Sequence, residues 1–591
     1  MTNSAVPRLS RRAFIGGIAG AAVLAGITGC TLNTPASTGS AGAFGGPYKK
    51  NIQMVFFSSP GNYQGVQKGW FGHLVTQKFN MSLNFVAPNV AGGGDTLYNT
   101  RVAAGNLGDL IIVPTGQKFD QLVQGGLLYD MSSVYSKMTN IKKYDAAVQN
   151  LNKGKKGTWA IPAQVTALKP TEPSEGLDPS FGAYLRWDYY KELGYPQMST
   201  LEDVIPVLKE MQQKHPKAGD GKTTYGFSLF KDWDGGMMTM AMQLPRMYGY
   251  DVINNGFVFA KADGSDYQDI MDSNSLYIRA LRMYCTANQQ GLVDPDSPTQ
   301  NYSTMFTKYQ NGQILFGFWP WLVKPSFNTT QNLSAGKGFQ LSPVGDQNIF
   351  SYGNSPYGGG WVFGIGSKAA EPERAAAFLD WLYSPDGISA NNGAISASAG
   401  PEGLTWQLGS DKKPELTDLG QKALLSGGAT LPASWGGGTF VDGESQINAQ
   451  GVTNVDIDPQ TGLPYNYEFW PSVQKLMSNP VIADWQTKMG GATSDIGYLQ
   501  KNNQLLVAPG TGYAPPADSP QISTIRGQAR QIIIQNSWKM SLSTSDSQFN
   551  SLLKEMQTTV KGLGYDQVVK ADMEYAKAQN DLRISVAKKF A

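Results

Sequence analysis

The sequence predicts an exported α/β protein with a helical C-terminal region, long enough for three or four average domains or two large lobes. Three observations lead there. Paired arginines near the start precede a short apolar run that ends in a cysteine. Beyond it, strand-like and helix-like segments alternate at the spacing of crossover units. The 591 residues exceed one average domain, and the stretch from about 520 onward has helical periodicity.

The leader comes first. Ser10-Arg11-Arg12-Ala13-Phe14-Ile15, followed by an apolar Gly/Ala/Ile/Val/Leu run to Ile27, has the form of a twin-arginine export signal. Ile27-Thr28-Gly29-Cys30 resembles a bacterial lipobox. Residues 1–29 then form a lipoprotein signal peptide, and Cys30 is the lipidation site that anchors the protein at the extracellular face of the cytoplasmic membrane. A spanning helix is the poorer reading, because the run is shorter than the roughly 20 residues a bilayer core needs. Residues 30–47 are mostly Thr, Ser, Pro, Gly and Ala, the composition of a flexible tether.

Composition narrows the function. A net charge of +2 provides no field to recruit nucleic acid or an anionic bilayer. The two cysteines are Cys30 and Cys285, so with lipid on the first the second has no disulfide partner. The chain has 13 Trp, 27 Tyr and 68 Gly but only 2 His, a balance that suits a binder of sugars or peptides rather than a metalloenzyme.

Element by element, 51–57 reads as a buried strand. Residues 64–79 have helical spacing, with Val66, Trp70, Leu74 and Val75 on one side. Met81, Leu83 and Phe85 alternate as a second strand; a helix near 96–104 and a third strand at 109–113 complete a parallel arrangement. A second set of elements follows Ile161-Pro162-Ala163. Ser199 and Glu202 suggest a capping box ahead of a stripe of Leu201, Val204, Ile205, Leu208 and Met211, which Pro206 is expected to kink. A strand at 313–318 runs into Trp319-Pro320-Trp321. Another at 361–365 precedes a helix with Ala375, Phe378, Leu379 and Leu382 on one face.

Four segments now carry a family resemblance. Arg101 to Leu110 (with Gly108 where the family has proline), Leu185 to Gly194, Gln313 to Trp319 and, most specifically, Pro372 to Gly387 resemble the bacterial extracellular solute-binding proteins of carbohydrate ABC importers. Length is similar to the large LipO-like and alginate-binding members of that family, family 1. The resemblance implies a periplasmic-binding-protein-like fold with an interlobe ligand cleft and no catalytic residues. It also implies two permease subunits and a cytoplasmic ATPase as partners, a monomeric state and no cofactor. Lobe 1 is expected over 48–163 plus 345–400 and lobe 2 over 164–344 plus 401–591, with a hinge near Pro162, Pro343 and Pro401. Some relatives carry a calcium loop, but the matching stretch 217–224 holds one carboxylate and two lysines, which is the wrong ligand set. The stretch 456–462 is a second, weaker candidate for such a loop, with an ordinary Asp/Pro/Gly turn the favoured reading.

In open α/β sheets ligands bind beyond the carboxyl ends of strands. That rule selects Ser58, Ser59, Asn62 and Tyr63; Gly92, Gly93, Gly94 and Asp95; Thr115 and Gln117; and Pro162 and Gln164. In the second lobe it selects Asp232, Trp233, Asp234, Gly235, Trp319 and Trp321, and on the return crossing Tyr357 and Trp361. Trp435 with Gly436, Gly437 and Gly438 joins them because an indole beside glycines lets a sugar stack and approach the backbone. Trp187 and Trp381 are expected in the core. The function expected is capture of an oligosaccharide by aromatic stacking and polar rim contacts, for delivery to the permease. An oligopeptide binder is the alternative; aromatic and amide-rich candidates favour neutral sugar over charged peptide termini. A secreted glycan-active enzyme is the third reading, with Asp232 and Asp234, or Asp442 and Glu444, as its carboxylates. Only His73 and His215 are available as imidazole bases, with no nucleophile elbow, phosphate loop or zinc cluster to accompany them.

Overall fold

The structure is a computed structural model that describes residues 46–88, 90, 94–234, 236–253, 256–391, 397–425, 428–511, 516 and 518–590. The leader, Cys30, Gly92, Gly93, Gly235 and the Asp95 side chain lie outside the described residues. The chain divides into two compact units. Residues to Val165 together with Tyr357–Trp470 form the first, and Thr166–Pro356 with Pro471–Ala591 form the second.

The first unit is built on a six-stranded sheet. Its order is Gly65–Val66, Met81–Val86, Ile52–Ser58, Leu110–Pro114, Trp361–Ile365, Ala160–Pro162. Ile52–Ser58 runs parallel to both neighbours, whereas Trp361–Ile365 is antiparallel to both of its own. The apolar run Leu110-Ile111-Ile112-Val113 is buried throughout, as a strand covered on both faces must be. The expected helix over 64–79 begins only at Gly69, as Gly69–Phe79. Gly65 has a φ of 117°, a value no right-handed helix accommodates, and Gly69, with φ of 66°, turns the chain into the helix. Gly65–Val66 instead pairs with Phe85 and Asn84. Helix Pro372–Trp381 buries Ala375, Phe378 and Leu379 as expected, with Trp381 packed edge-on against Phe79.

The lobe boundaries differ from expectation. Residues 401–470, expected in the second lobe, pack within the first unit. Phe440 stacks on Trp70 at 5.2 Å and 16°, and the Trp70 indole N–H donates to the Phe440 carbonyl at 3.0 Å. Residues 345–356, expected in the first, lie in the second unit because Ile349–Tyr352 pairs in parallel with Leu505–Ala508. The chain therefore crosses between units after Val165, Pro356 and Trp470. Of the three proline positions expected at the hinge, only Pro162 stands beside a crossing.

In the second unit Tyr184–Arg186 lies between Phe316–Gly317 and Phe339–Leu341, antiparallel to both. The strand expected over 313–318 shortens to Phe316–Gly317. The capping box is shifted by one residue: Asp203 accepts from the backbone N–H groups of Ser199 (2.8 Å) and Thr200 (2.9 Å). Glu202 instead forms a two-pronged ion pair with Arg279 at 2.6 and 2.7 Å. Pro206 produces no interruption of Val204–Lys214, because it is the third residue of that helix, where an N–H has no intrahelical acceptor. The C-terminal region is helical as expected: Pro520–Ser541, Asp546–Gly562 and Asp566–Lys589. Trp187 is fully buried, its indole N–H donating to Asp484 at 2.8 Å.

Candidate functional site: an aromatic shelf beside a pocket

The second unit brings four aromatic rings together. The loop carrying Asp232, Trp233 and Asp234 is fixed by its carboxylates. Asp232 accepts from the Tyr302 backbone N–H at 2.8 Å, at the start of helix Tyr302–Gln310. That bond sets Tyr302 against the loop, and its ring stacks on Trp233 at 4.8 Å and 22°. Asp234 accepts from the Thr239 N–H (2.8 Å) and the Trp538 indole (2.6 Å). Burial raises its pKa, against the pull of those two donors. Asp232 and Asp234, the first pair considered for glycan hydrolysis, thus both hold the loop in place.

Trp319 and Trp321 flank Pro320, whose fixed φ starts helix Pro320–Phe327. Their rings stack at 5.1 Å and 28°, and Trp233 is 6.0 and 6.1 Å from them. Trp319 is only 3% exposed, and its N–H donates to Gln243 Oε1 at 2.9 Å. Trp321 is 46% exposed. The result is a shelf with a buried, hydrogen-bonded inner ring and an open outer one. A pocket of about 330 Å³ adjoins it, lined by Trp319 and Trp321 together with Phe181, Thr239, Gln243 and Arg246. Such a shelf offers a flat apolar face, and the pocket beside it offers a few convergent polar groups.

The first unit carries a separate, polar groove of about 530 Å³ bounded by Asn62, Tyr63, Lys68, Gly437, Thr439 and Asp442. Gly436, Gly437 and Gly438 all have positive φ, of 85°, 62° and 77°, a run open only to glycine at low cost. Asp442 accepts from the Thr439 hydroxyl at 2.7 Å, and the Glu444 carbonyl accepts from Gln67 Nε2 at 3.0 Å. Trp435 is half-buried in the turn Ala433–Trp435 just before the glycines.

No family model matches the sequence, and no curated protein matches it. Solved structures do. An extracellular solute-binding protein from Bifidobacterium longum subsp. infantis superposes with a TM-score of 0.56 at 13% identity, covering 90% of this chain and 99% of that one. A solute-binding protein from Bifidobacterium longum infantis, described as binding HMO and associated with an ABC transporter, gives 0.54 at 15%, again over 90% and 99%. A Streptococcus pneumoniae ABC-transporter substrate-binding protein in complex with fructo-nystose gives 0.52 at 14% over the same shares. This chain has the solute-binding-protein fold. It is the two-lobe α/β architecture of those structures.

Within the first unit of this solute-binding fold, the strand-end rule gathers most candidates at one sheet end. Trp361 lies opposite Pro114, the Thr115 N–H donates to the Gly360 carbonyl at 2.9 Å, and the Ala163 N–H donates to the Trp361 carbonyl at 2.9 Å. Gln117, exposed, starts helix Gln117–Gln124. Gln164 has φ of 56°, and its N–H donates to the Gln450 carbonyl at 2.9 Å. Tyr357 is half-buried on the same return segment, and Asn62 is exposed beyond strand Ile52–Ser58. In the second unit Asp232, Trp233, Trp319 and Trp321 converge. Sequence reasoning missed Tyr302, Gln243 and Arg246. Gln243 and Arg246 sit in a methionine-rich stretch without clear periodicity, and Tyr302 is recruited by Asp232 across 70 residues.

Among the described residues, no group of three or more His, Cys, Asp or Glu is placed to hold a metal ion, and no helix is long and apolar enough to cross a membrane. In the loop 217–224, Asp220 accepts from Gln313 Nε2 at 2.7 Å. At 456–462, Asp456 accepts from the Tyr144 hydroxyl and the Gly462 N–H closes a turn on the Asp458 carbonyl.

Proposed function

We propose that the chain is the substrate-binding lipoprotein of an ABC importer, that it captures an oligosaccharide, and that it does so without catalysis. The observation that carries this reading is the shelf of Trp233, Tyr302, Trp319 and Trp321 opening on a pocket with Thr239, Gln243 and Arg246 on its wall. A pyranose ring presents an apolar C–H face that stacks on an indole, while its hydroxyls need amide and hydroxyl partners at the rim. The fold supports the transport role, since the structures that share it are described as solute- or substrate-binding proteins of ABC transporters. In this reading residues 1–29 are removed, Cys30 carries the lipid, and the loaded protein, a monomer, is presented to two permease subunits. On the first unit, taken by itself, Asn62, Tyr63, Gln117, Gln164, Tyr357, Trp361 and Trp435 are the candidate residues for sugar contacts.

The test is calorimetry and thermal shift with the purified protein against a panel of oligosaccharides and short peptides. A ligand at a hundred times its Kd stabilises the native state by about 2.7 kcal/mol, a shift of a few degrees. Stabilisation by an oligosaccharide that is recovered intact supports the reading. Recovery of cleaved sugar moves the protein to the glycan-active enzymes, and stabilisation by peptides alone moves it to the oligopeptide importers.

A further inference from the structure

Among the described residues, Arg246 is the one charged side chain on the wall of the pocket beside Trp319 and Trp321. It stands on the short helix Gln243–Met247, which also presents Gln243 to Trp319. Its Nη1 is 2.7 Å from one oxygen of Asp251, whose other oxygen is 2.5 Å from Nη2 of Arg583. One buried carboxylate therefore serves two buried guanidinium groups. Burial alone would raise the Asp251 pKa, but Arg246 and Arg583 together hold it below the usual value, so its negative charge is committed.

The other described neighbours of Arg246 supply no second carboxylate: although burial opposes its charge, the Tyr352 hydroxyl hydrogen-bonds the guanidinium and, with Asp251, keeps Arg246 charged. Its guanidinium carbon lies 4.7 Å from the Phe350 ring centre, 5.1 Å from Phe181 and 5.8 Å from Tyr352. Glu175, next to Tyr352 on the far side, accepts hydrogen bonds from Ser180, Ser351 and the Tyr352 N–H, and burial raises its pKa. A buried cation lacking an equal counter-charge is costly, and a planar guanidinium is best matched by a carboxylate. Among the described residues, no carboxylate lines the pocket to receive an ammonium group.

We infer that this pocket receives a carboxylate carried by the glycan, so that an acidic sugar such as a uronic or sialic residue sits against Arg246 with a neighbouring ring on Trp321. The inference rests on the oligosaccharide reading above and departs from the neutral sugar that the sequence favoured. A peptide C-terminus presents the same group, but a peptide also brings an amino terminus, and the two carboxylates of the adjoining loop, Asp232 and Asp234, are engaged by Tyr302, Thr239 and Trp538.

The test begins with a binding panel that pairs neutral glycans with uronate- and sialate-bearing ones and includes di- and tripeptides. The best acidic ligand is then reduced chemically at its carboxyl group to the alcohol and titrated again against the unaltered protein. Acidic glycans are expected to bind best, carboxyl reduction to weaken binding by about tenfold or more, and added salt to weaken the acidic ligand selectively. Arg246→Gln is expected to abolish the preference and Arg246→Lys to keep part of it. Because either variant disturbs the Asp251 pair and can misfold, the reduced ligand with unaltered protein decides the matter. Binding of neutral glycans only, or unchanged affinity after reduction, overturns the inference and leaves the oligosaccharide reading standing. Binding of peptides alone, or of no glycan, overturns both.

Discussion

Gln243 accepts the indole N–H of Trp319 at 2.9 Å, and its own amide donates to the Thr239 carbonyl at 2.7 Å. Through these two bonds a side chain that need not touch the sugar fixes the plane of the shelf's inner ring. Gln243→Met keeps the volume but leaves the buried Trp319 N–H without an acceptor. We expect a loss of about 1–3 kcal/mol in denaturant unfolding, together with weaker oligosaccharide binding. Unchanged stability would mean that Trp319 finds another acceptor or turns.

Trp319 and Trp321 should separate packing from recognition. Trp319 is 3% exposed and Trp321 46%, although the rings stack on each other. Trp319→Ala is expected to cost ~3–5 kcal/mol of stability. Trp321→Ala should leave stability nearly unchanged and weaken oligosaccharide affinity by roughly tenfold or more. Calorimetry beside urea melts reads both effects. Wild-type affinity in Trp321→Ala would remove the outer ring from the binding surface.

Asp495 supplies a pH-dependent test. Its carboxyl is buried, accepts from the Tyr184 hydroxyl at 2.8 Å, and shares Lys324 with Asp178, the ammonium lying 3.0 Å from Asp495 and 2.7 Å from Asp178. Burial pushes its pKa up to about 6, partly opposed by Lys324 and reinforced by Asp178. The unfolded value is about 4. Between about pH 4 and 6 the folded state therefore holds a proton that the unfolded state has lost, so this group's contribution falls as pH rises through that window. Asp495→Asn should lack that decline, visible as a wild-type minus variant difference in unfolding free energy measured from pH 4 to 7. A parallel pair of curves would count against the raised pKa.

The shifted capping box makes a sharp local prediction. Asp203, not Glu202, closes on the backbone of Ser199 and Thr200, and the hydrogen bond from Thr200 leads in lowering its pKa. Asp203→Ala should cost about 1 kcal/mol, and Ser199→Ala much less. The stabilisation from Asp203 should disappear as pH falls through its lowered pKa, because a protonated carboxyl accepts these bonds poorly. Equal effects of the two substitutions would return the cap to the register that the sequence suggested.

Local signals were the legible ones. The alternation of Met81, Leu83 and Phe85, the apolar run at 110–113 and the helical stripe of Ala375, Phe378 and Leu379 each depend on neighbours within a few residues, and each forms as expected. The allocation of 401–470 was not legible, since it depends on Phe440 meeting Trp70 across 370 residues. Of the shelf, Trp233, Trp319 and Trp321 could be read because aromatic residues next to proline, glycine or aspartate at strand ends stand out. Tyr302 and Arg246 could not: their roles come from Asp232 and Asp251, partners that spacing does not reveal.

The sheet of the first unit has a consequence for biosynthesis. Val362 pairs with Pro162 on one side and Val113 on the other, while the chain in between builds part of the second unit. Until Trp361–Ile365 emerges from the ribosome, the facing edges of Leu110–Pro114 and Ala160–Pro162 have no strand between them. At about 5–20 residues per second, the roughly 200 residues separating Pro162 from Val362 keep those edges open for about 10–40 s. Unpaired apolar edges are templates for pairing with other chains. Interleaving the two units thus gives the nascent protein a defined interval of exposure to misassembly, one that ends with a single five-residue strand.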